Sequence, residues 1–252
     1  CSDSSLLFRI IGLFDEDTSS DGTNSSGTKK LLKVIDTNNY GGTDGKAWNS
    51  AGTNNWSTAS LKTELNETYL TNLLSTSNVN SKLSSAIANA KWHLGGPSEL
   101  NKNTLTVESM YTEERNTSAV YSGNLSSIYE KVGLMYPSDY GYATVGGTTT
   151  NKSSCRAEAL YNWDGSSYSD CKNNDWLFTS QNSFANGAEW LLSPYSSRSL
   201  NAAYLRSAGY VYLSNSVNNG QHAVRPTFYL DSSILKIVGT GDGTKDSAYR
   251  IG

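Results

Sequence analysis

The sequence predicts an α+β fold, and three observations carry that prediction. Two early segments place apolar residues at the helical period. The second half is a series of short apolar runs separated by Gly, Ser, Asn and Asp clusters, as expected of short strands joined by long loops. No linker or composition shift divides the chain, so its 252 residues are expected to form one domain spanning 1–252.

The elements follow in order. Leu6 to Phe14 reads as a buried strand, the polar stretch from Asp15 to Gly27 as a hairpin loop, and Leu31 to Ile35 as the returning strand. After a Gly-rich turn region with Trp48 and Trp56, Ser57 or Thr58 is positioned to cap a helix. Leu61, Leu65, Tyr69, Leu73 and Leu74 would share its inner face. A second helix is expected from Ser81 to Trp92, with Leu83, Ile87 and Ala90 on one side and Gly95-Gly96-Pro97 as its stop. One or two helical turns are expected within Val107 to Arg115. Beyond them come apolar segments at 132–136, 176–178, 190–192, 204–205, 210–213 and 224–230. The opening strand and the Val224 to Leu230 run are expected to pair or lie side by side in one sheet.

Only 17% of residues are charged and the formal net charge is -3, so uncharged polar groups must cover the surface. Without clustered Lys and Arg, nucleic acid is not an expected partner. No apolar stretch is long enough for a membrane span. Cys155 and Cys171 flank a turn-rich segment. A bridge between them would close a loop of about 15 residues and stabilise by roughly 3 kcal/mol; two free thiols are the alternative. Cys1 is left over. Its expected partner is an upstream cysteine, lipidation being the other reading, so an N-terminal anchoring segment is expected outside this chain.

Tests for chemistry find little. His93 and His222 have no acid or cysteine beside them at ligand spacing, and neither a hydrolase Gly-Xaa-Ser-Xaa-Gly elbow nor a phosphate-binding glycine loop is present. Glu113 with Glu114, and Asp15 with Asp17, read as solvated pairs. Asp139, Asp164, Asp170 and Asp175 are oxygen donors for a structural Ca²⁺ at most, so neither cofactor nor metal is expected, and no enzyme activity.

Several motifs carry a resemblance when taken together. They are Phe8-Arg9-Ile10-Ile11-Gly12, Asn55-Trp56-Ser57, Lys91 to Gly96, Gly133 to Ala143, Trp190-Leu191-Leu192-Ser193-Pro194, Val224-Arg225-Pro226 and Gly241-Asp242-Gly243-Thr244. In this order the chain resembles bacterial surface proteins of Gram-positive gut lineages, often attached to a pilin-like N-terminal helix. Their C-terminal part is similar to the C-type-lectin-like variable domains diversified by retroelements. The resemblance implies a C-type-lectin-like fold with two main helices and a small, loop-rich antiparallel sheet. It also implies an extracellular location at the cell surface, and a ligand-binding surface in the last third that tolerates change.

That last third has a fitting composition. Half of the residues from Ser193 to His222 are Ser, Tyr or Asn, the types that dominate adaptable binding faces. Alternation would turn Leu205, Val211 and Leu213 inward and Tyr204, Arg206, Tyr210 and Tyr212 outward, with Ala208-Gly209 as the turn. Ser197, Ser199, Asn201, Tyr204, Arg206, Tyr210, Tyr212, Ser214 and Asn215 are residue types that adenine-directed mutagenesis would enrich. The full candidate face adds Tyr195, Arg198, Ser207, Asn218, Asn219 and His222. The expected function is binding of a protein or glycan on another cell or phage. A structural pilin or cell-surface component is the alternative, and membrane or pilus anchoring would come only through a segment absent from this chain.

Overall fold

The computed structural model describes residues 7–76, 81–98, 102–172, 187–233, 237–238, 240–242 and 247–251. Cys1, the 176–178 run, Asp175 and Gly243-Thr244 lie outside the described residues. The chain is α+β with antiparallel sheets, as its patterning predicts.

Strands β1 (Phe8–Thr18) and β2 (Gly27–Asp36) form a long hairpin. The strands take in five residues of the expected loop, 15–18 and 27. Asp15 stands opposite Lys30 and pairs with it at 3.0 Å, an opposite-charge contact that prolongs the ladder into a polar region. The loop proper is only 19–26. Asp21 holds it by accepting from Thr23 N, Asn24 N and Ser19 Oγ.

The first helical region is α1 (Ser60–Glu64), a π-helical turn (Leu65–Tyr69) and α2 (Leu70–Ser75), with Leu61, Leu65, Tyr69 and Leu73 buried as the period predicts. Its N-cap is Ala59 rather than Ser57 or Thr58, because Asn55 first caps a 3₁₀ turn at Trp56–Thr58. The second helix, α3, covers only Ser81–Ala86, and Ala90–His93 is strand β3. Here the strand period wins: Ala90 and Trp92 are buried while Lys91 and His93 are half-buried. The backbone at Ala88 donates to Tyr229 O, and the Trp92 indole donates to Glu130 O. Gly95-Gly96-Pro97 therefore follows a strand. Helix α4 (Val107–Arg115) forms as expected, capped by Thr106.

Strands β4 (Ser127–Glu130) and β5 (Val132–Gly133) precede two short helices, α5 (Pro137–Tyr142) and α6 (Lys152–Ala157). Next come β6 (Ala188–Pro194), β7 (Asn201–Arg206), β8 (Val211–Ser216) and β9 (Thr227–Asp231). A last pair is β10 (Ile237–Val238) with β11 (Arg250–Ile251). The large sheet runs β4-β3-β1-β2-β9-β5, so the opening strand and β9 share a sheet but, against expectation, neither pair nor lie side by side: β2 stands between them and pairs with both. Cys155 and Cys171 are bridged.

The small sheet β6-β7-β8 lies between two apolar cores. Trp190, Leu192, Ala202 and Tyr204 face one core, together with Trp48, Trp56, Trp92 and Phe228. Leu191, Ala203, Leu205, Val211 and Leu213 face the other, with Met110, Tyr140 and the disulfide. Every residue of β6 is buried in consequence.

Candidate functional site

The β7-β8 hairpin turns where expected. Gly209 takes a left-handed backbone (φ +85°), and its N–H donates to Arg206 O. Register sets Tyr204 opposite Tyr212 and Leu205 opposite Val211.

Leu205, Val211 and Leu213 are buried as predicted, but Tyr204 is a correction. It does leave the sheet on the face opposite Leu205, yet that face is covered too, and Tyr204 is only 6% exposed. Its ring meets those of Trp190, His222 and Tyr212 at 6.3, 5.1 and 5.6 Å. Tyr195 and His222 are likewise buried, against the expectation that they belong to the open face. His222 stacks on Trp190 at 4.2 Å. Burial, and secondarily the charge of Arg206, pushes its pKa down to about 4, so the ring is neutral and Asn215 Nδ2 donates to its Nε2 at 2.7 Å.

Two separate groups of candidate residues remain at the surface. At the turn end stand Arg206 and Ser207, exposed, with Tyr210 and Tyr212, half-buried. At the base are Ser197 and Arg198, exposed, Ser199 and Asn201, half-buried, and Asn218 and Asn219 beside them in the chain after β8. Buried Asn54 fixes this base loop by donating to Tyr195 O, Arg198 O and Asn201 O. Ser214 lies within β8.

Sequence reasoning missed two members of the turn-end group, Tyr161 and Lys102. Tyr161 sits in a 3₁₀ turn (Leu160–Asn162) inside the disulfide-closed segment, which carries it against the hairpin. Its ring lies 5.9 Å from Tyr210 and 5.5 Å from Tyr212. Lys102 Nζ stands 5.1 Å above Tyr161 and 5.9 Å above Tyr212. Arg206 lies over Tyr204 and Tyr210 at 5.9 and 5.8 Å, donating to Tyr204 Oη at 3.2 Å. The result is a cluster of three partly exposed tyrosines flanked by two cations, mounted on a buried aromatic layer. The available signal was the turn-rich segment between two cysteines.

A second group of ionisable side chains is internal. Glu114, read from sequence as solvated, is fully buried and accepts from Ser138 N at 2.9 Å and from Ser138 Oγ. Arg115 reaches Glu16 at 2.7 Å and Glu114 at 3.6 Å, and His93 meets Glu16 at 3.3 Å. Burial would raise Glu16, but the hydrogen bond from His93 and the charge of Arg115 outweigh it and hold the carboxyl below its usual range. Glu114 behaves oppositely: burial pushes it up to about 8.

That shift predicts a pH dependence. A carboxyl raised in the folded state favours folding while protonated, so this contribution is full below its unfolded pKa of 4.5 and lost as pH climbs through 8. The depressed His222 works the other way, between about 4 and its unfolded 6.5. Between pH 6.5 and 8, urea unfolding should therefore show stability falling by about 2 kcal/mol. Glu114→Gln should flatten that slope; an unchanged slope would locate its origin elsewhere.

Among the described residues the calcium donors are not assembled. Asp139 is committed to Lys33, Asp164 is exposed, and Asp170 accepts from the backbone and hydroxyl of Thr149. Among the described residues no three His, Cys, Asp or Glu side chains group as metal ligands, and no helix is long and apolar enough to cross a membrane. Comparison of the chain with protein-family models, curated proteins and solved structures gave no match.

Proposed function

We propose that the chain is an extracellular, C-type-lectin-like ligand-binding domain, similar to the retroelement-diversified variable proteins, and that Tyr161, Tyr210 and Tyr212 with Lys102 and Arg206 form its binding face. The observation that carries this reading is the tyrosine cluster itself. Three large rings at 5.5–6.4 Å spacing are left partly open to solvent on a hairpin whose opposite side is packed core. Rigid aromatic anchors bind at low entropic cost, and their OH groups and the flanking cations supply polar recognition. A glycan or an acidic protein surface suits that chemistry. The sharing of one sheet by β1 and β9 supports the lectin-like reading, and the disulfide is compatible with an oxidising compartment. The proposal involves no catalytic step.

The test is binding of the labelled protein to a glycan array and to intact bacterial cells, wild type against the Tyr161→Ser/Tyr210→Ser/Tyr212→Ser variant. Truncating central aromatic anchors should weaken binding by at least about tenfold. Wild-type-like binding by the variant would rule this face out. Absence of any binding by the wild type would favour the structural-component reading.

A further inference from the structure

Lys33 sits in the middle of β2 with its whole side chain inside the protein. Its Nζ lies 2.6 Å from Asp139 Oδ2, and both side chains are excluded from solvent, at 0% and 2% exposure. Four aromatic rings enclose the amine: Tyr136, Tyr229, Trp92 and Phe14, at 4.2, 4.9, 5.0 and 5.6 Å to their centroids. Asp139 Oδ2 also accepts from Tyr136 N at 2.8 Å, which fixes the carboxyl at the start of α5.

A lysine and an aspartate confined in this way are an expensive ion pair. Each charge withdrawn from water costs several kcal/mol, and mutual attraction offsets this only in part. Transfer of one proton across the 2.6 Å contact produces a neutral amine and a neutral acid with no change in net charge. Burial pulls the Lys33 ammonium below its ordinary range, although Asp139 opposes the shift.

We propose that Lys33 and Asp139 condense after folding into an intramolecular isopeptide bond between Nζ and Cγ. The amine lone pair attacks Cγ, which is bonded to the oxygen that Nζ already touches. The transferred proton sits on Oδ2, so Oδ2 is the leaving hydroxyl, held in place by the Tyr136 N–H that donates to it. Charge builds on Oδ1, the Cγ–Oδ2 bond breaks as the carbonyl re-forms, and a proton from the attacking nitrogen joins the departing hydroxyl to give water. One amide and one water result, with no redox change and no co-reactant. The bond would tie β2 of the large sheet to α5, two elements 106 residues apart in sequence. It is independent of the tyrosine face.

Mass spectrometry of the full chain, reduced and unfolded, tests the proposal. The wild type should weigh one water less than its sequence. Its protease digest should contain a branched peptide joining the Lys33 and Asp139 segments, with trypsin no longer cutting after Lys33. Lys33→Met and Asp139→Ala should restore the full sequence mass. Asp139→Asn should release ammonia instead and give a branched peptide of the same mass as the wild type's. A wild-type chain at full sequence mass, with linear peptides at both positions, overturns the proposal. So does loss of water with linear peptides, which is the signature of an aspartyl succinimide. Should the Lys33 or Asp139 variants fail to fold, the wild-type digest decides alone.

Discussion

Changing Glu189 to alanine should destabilise the fold by about 3–5 kcal/mol, the range for removing one partner of a buried ion pair. Arg225 Nε donates to Glu189 Oε2 at 2.9 Å and Nη2 lies 2.8 Å from the same oxygen, with both side chains 1% exposed. The pair also holds a joint in the architecture. Glu189 is in β6 of the small sheet, while Arg225 belongs to the segment leading into β9 of the large one, and Trp190 N donates to Ala223 O alongside. Alanine would remove the carboxylate and leave the guanidinium inside. A guanidinium keeps its proton, so it has no neutral form to retreat to. Arg225→Met should be milder, because a stranded carboxyl can take up a proton, and its deficit should shrink as pH is lowered toward about 5. Urea unfolding of both variants at neutral and acid pH measures this asymmetry. A loss below about 1 kcal/mol for Glu189→Ala would mean that water compensates the charge and that the pair does not anchor the two sheets.

How far the architecture could be read in advance depended on whether local pattern and tertiary environment agreed. The apolar runs behind β1 and β2, and the leucine face of the 60–75 helical region, were legible because period and burial coincide there. The 81–92 segment misled because Leu83, Ile87 and Ala90 fit a helical face while Ala90-Lys91-Trp92-His93 fits a strand. Hydrogen bonds to Tyr229 O and Glu130 O, remote in sequence, decide between them. Helix α5 was missed because six residues are too few for a period, although Pro137 at its first turn and Asp139 as capping partner were local signals. At the candidate site, alternation correctly separated Tyr204 from Leu205. Nothing local reveals that both faces of the small sheet are covered, and alternation alone points Tyr204 outward. Lys33 did leave a trace: it is a lone charge within Leu31-Leu32-Lys33-Val34-Ile35, where an inward-facing cation must find a buried partner. The partner itself lies 106 residues away and could not be inferred from spacing.

The boundary between display surface and core should then run between Tyr204 and Tyr210, and serine substitutions along the hairpin will locate it. Changing Arg206, Tyr210 and Tyr212 together to Ser removes one exposed and two partly buried side chains, so the fold should lose about 2 kcal/mol in all. Tyr204→Ser alone should cost more, about 3 kcal/mol, since it empties a site walled by Trp190, His222 and Tyr212 and removes the acceptor of Arg206. Leu205→Ser should cost about 3–5 kcal/mol, because it opens a cavity on the opposite face and places a hydroxyl among Val211, Leu213 and Met110. Urea midpoints with unchanged m-values would establish that these are stability effects within one folded state. If the triple variant unfolds as readily as Leu205→Ser, Tyr210 and Tyr212 are structural, and the binding surface must be sought on the Ser197–Asn219 base of the hairpin. If Tyr204→Ser is tolerated instead, the aromatic layer beneath the face is not the platform on which the three tyrosines stand.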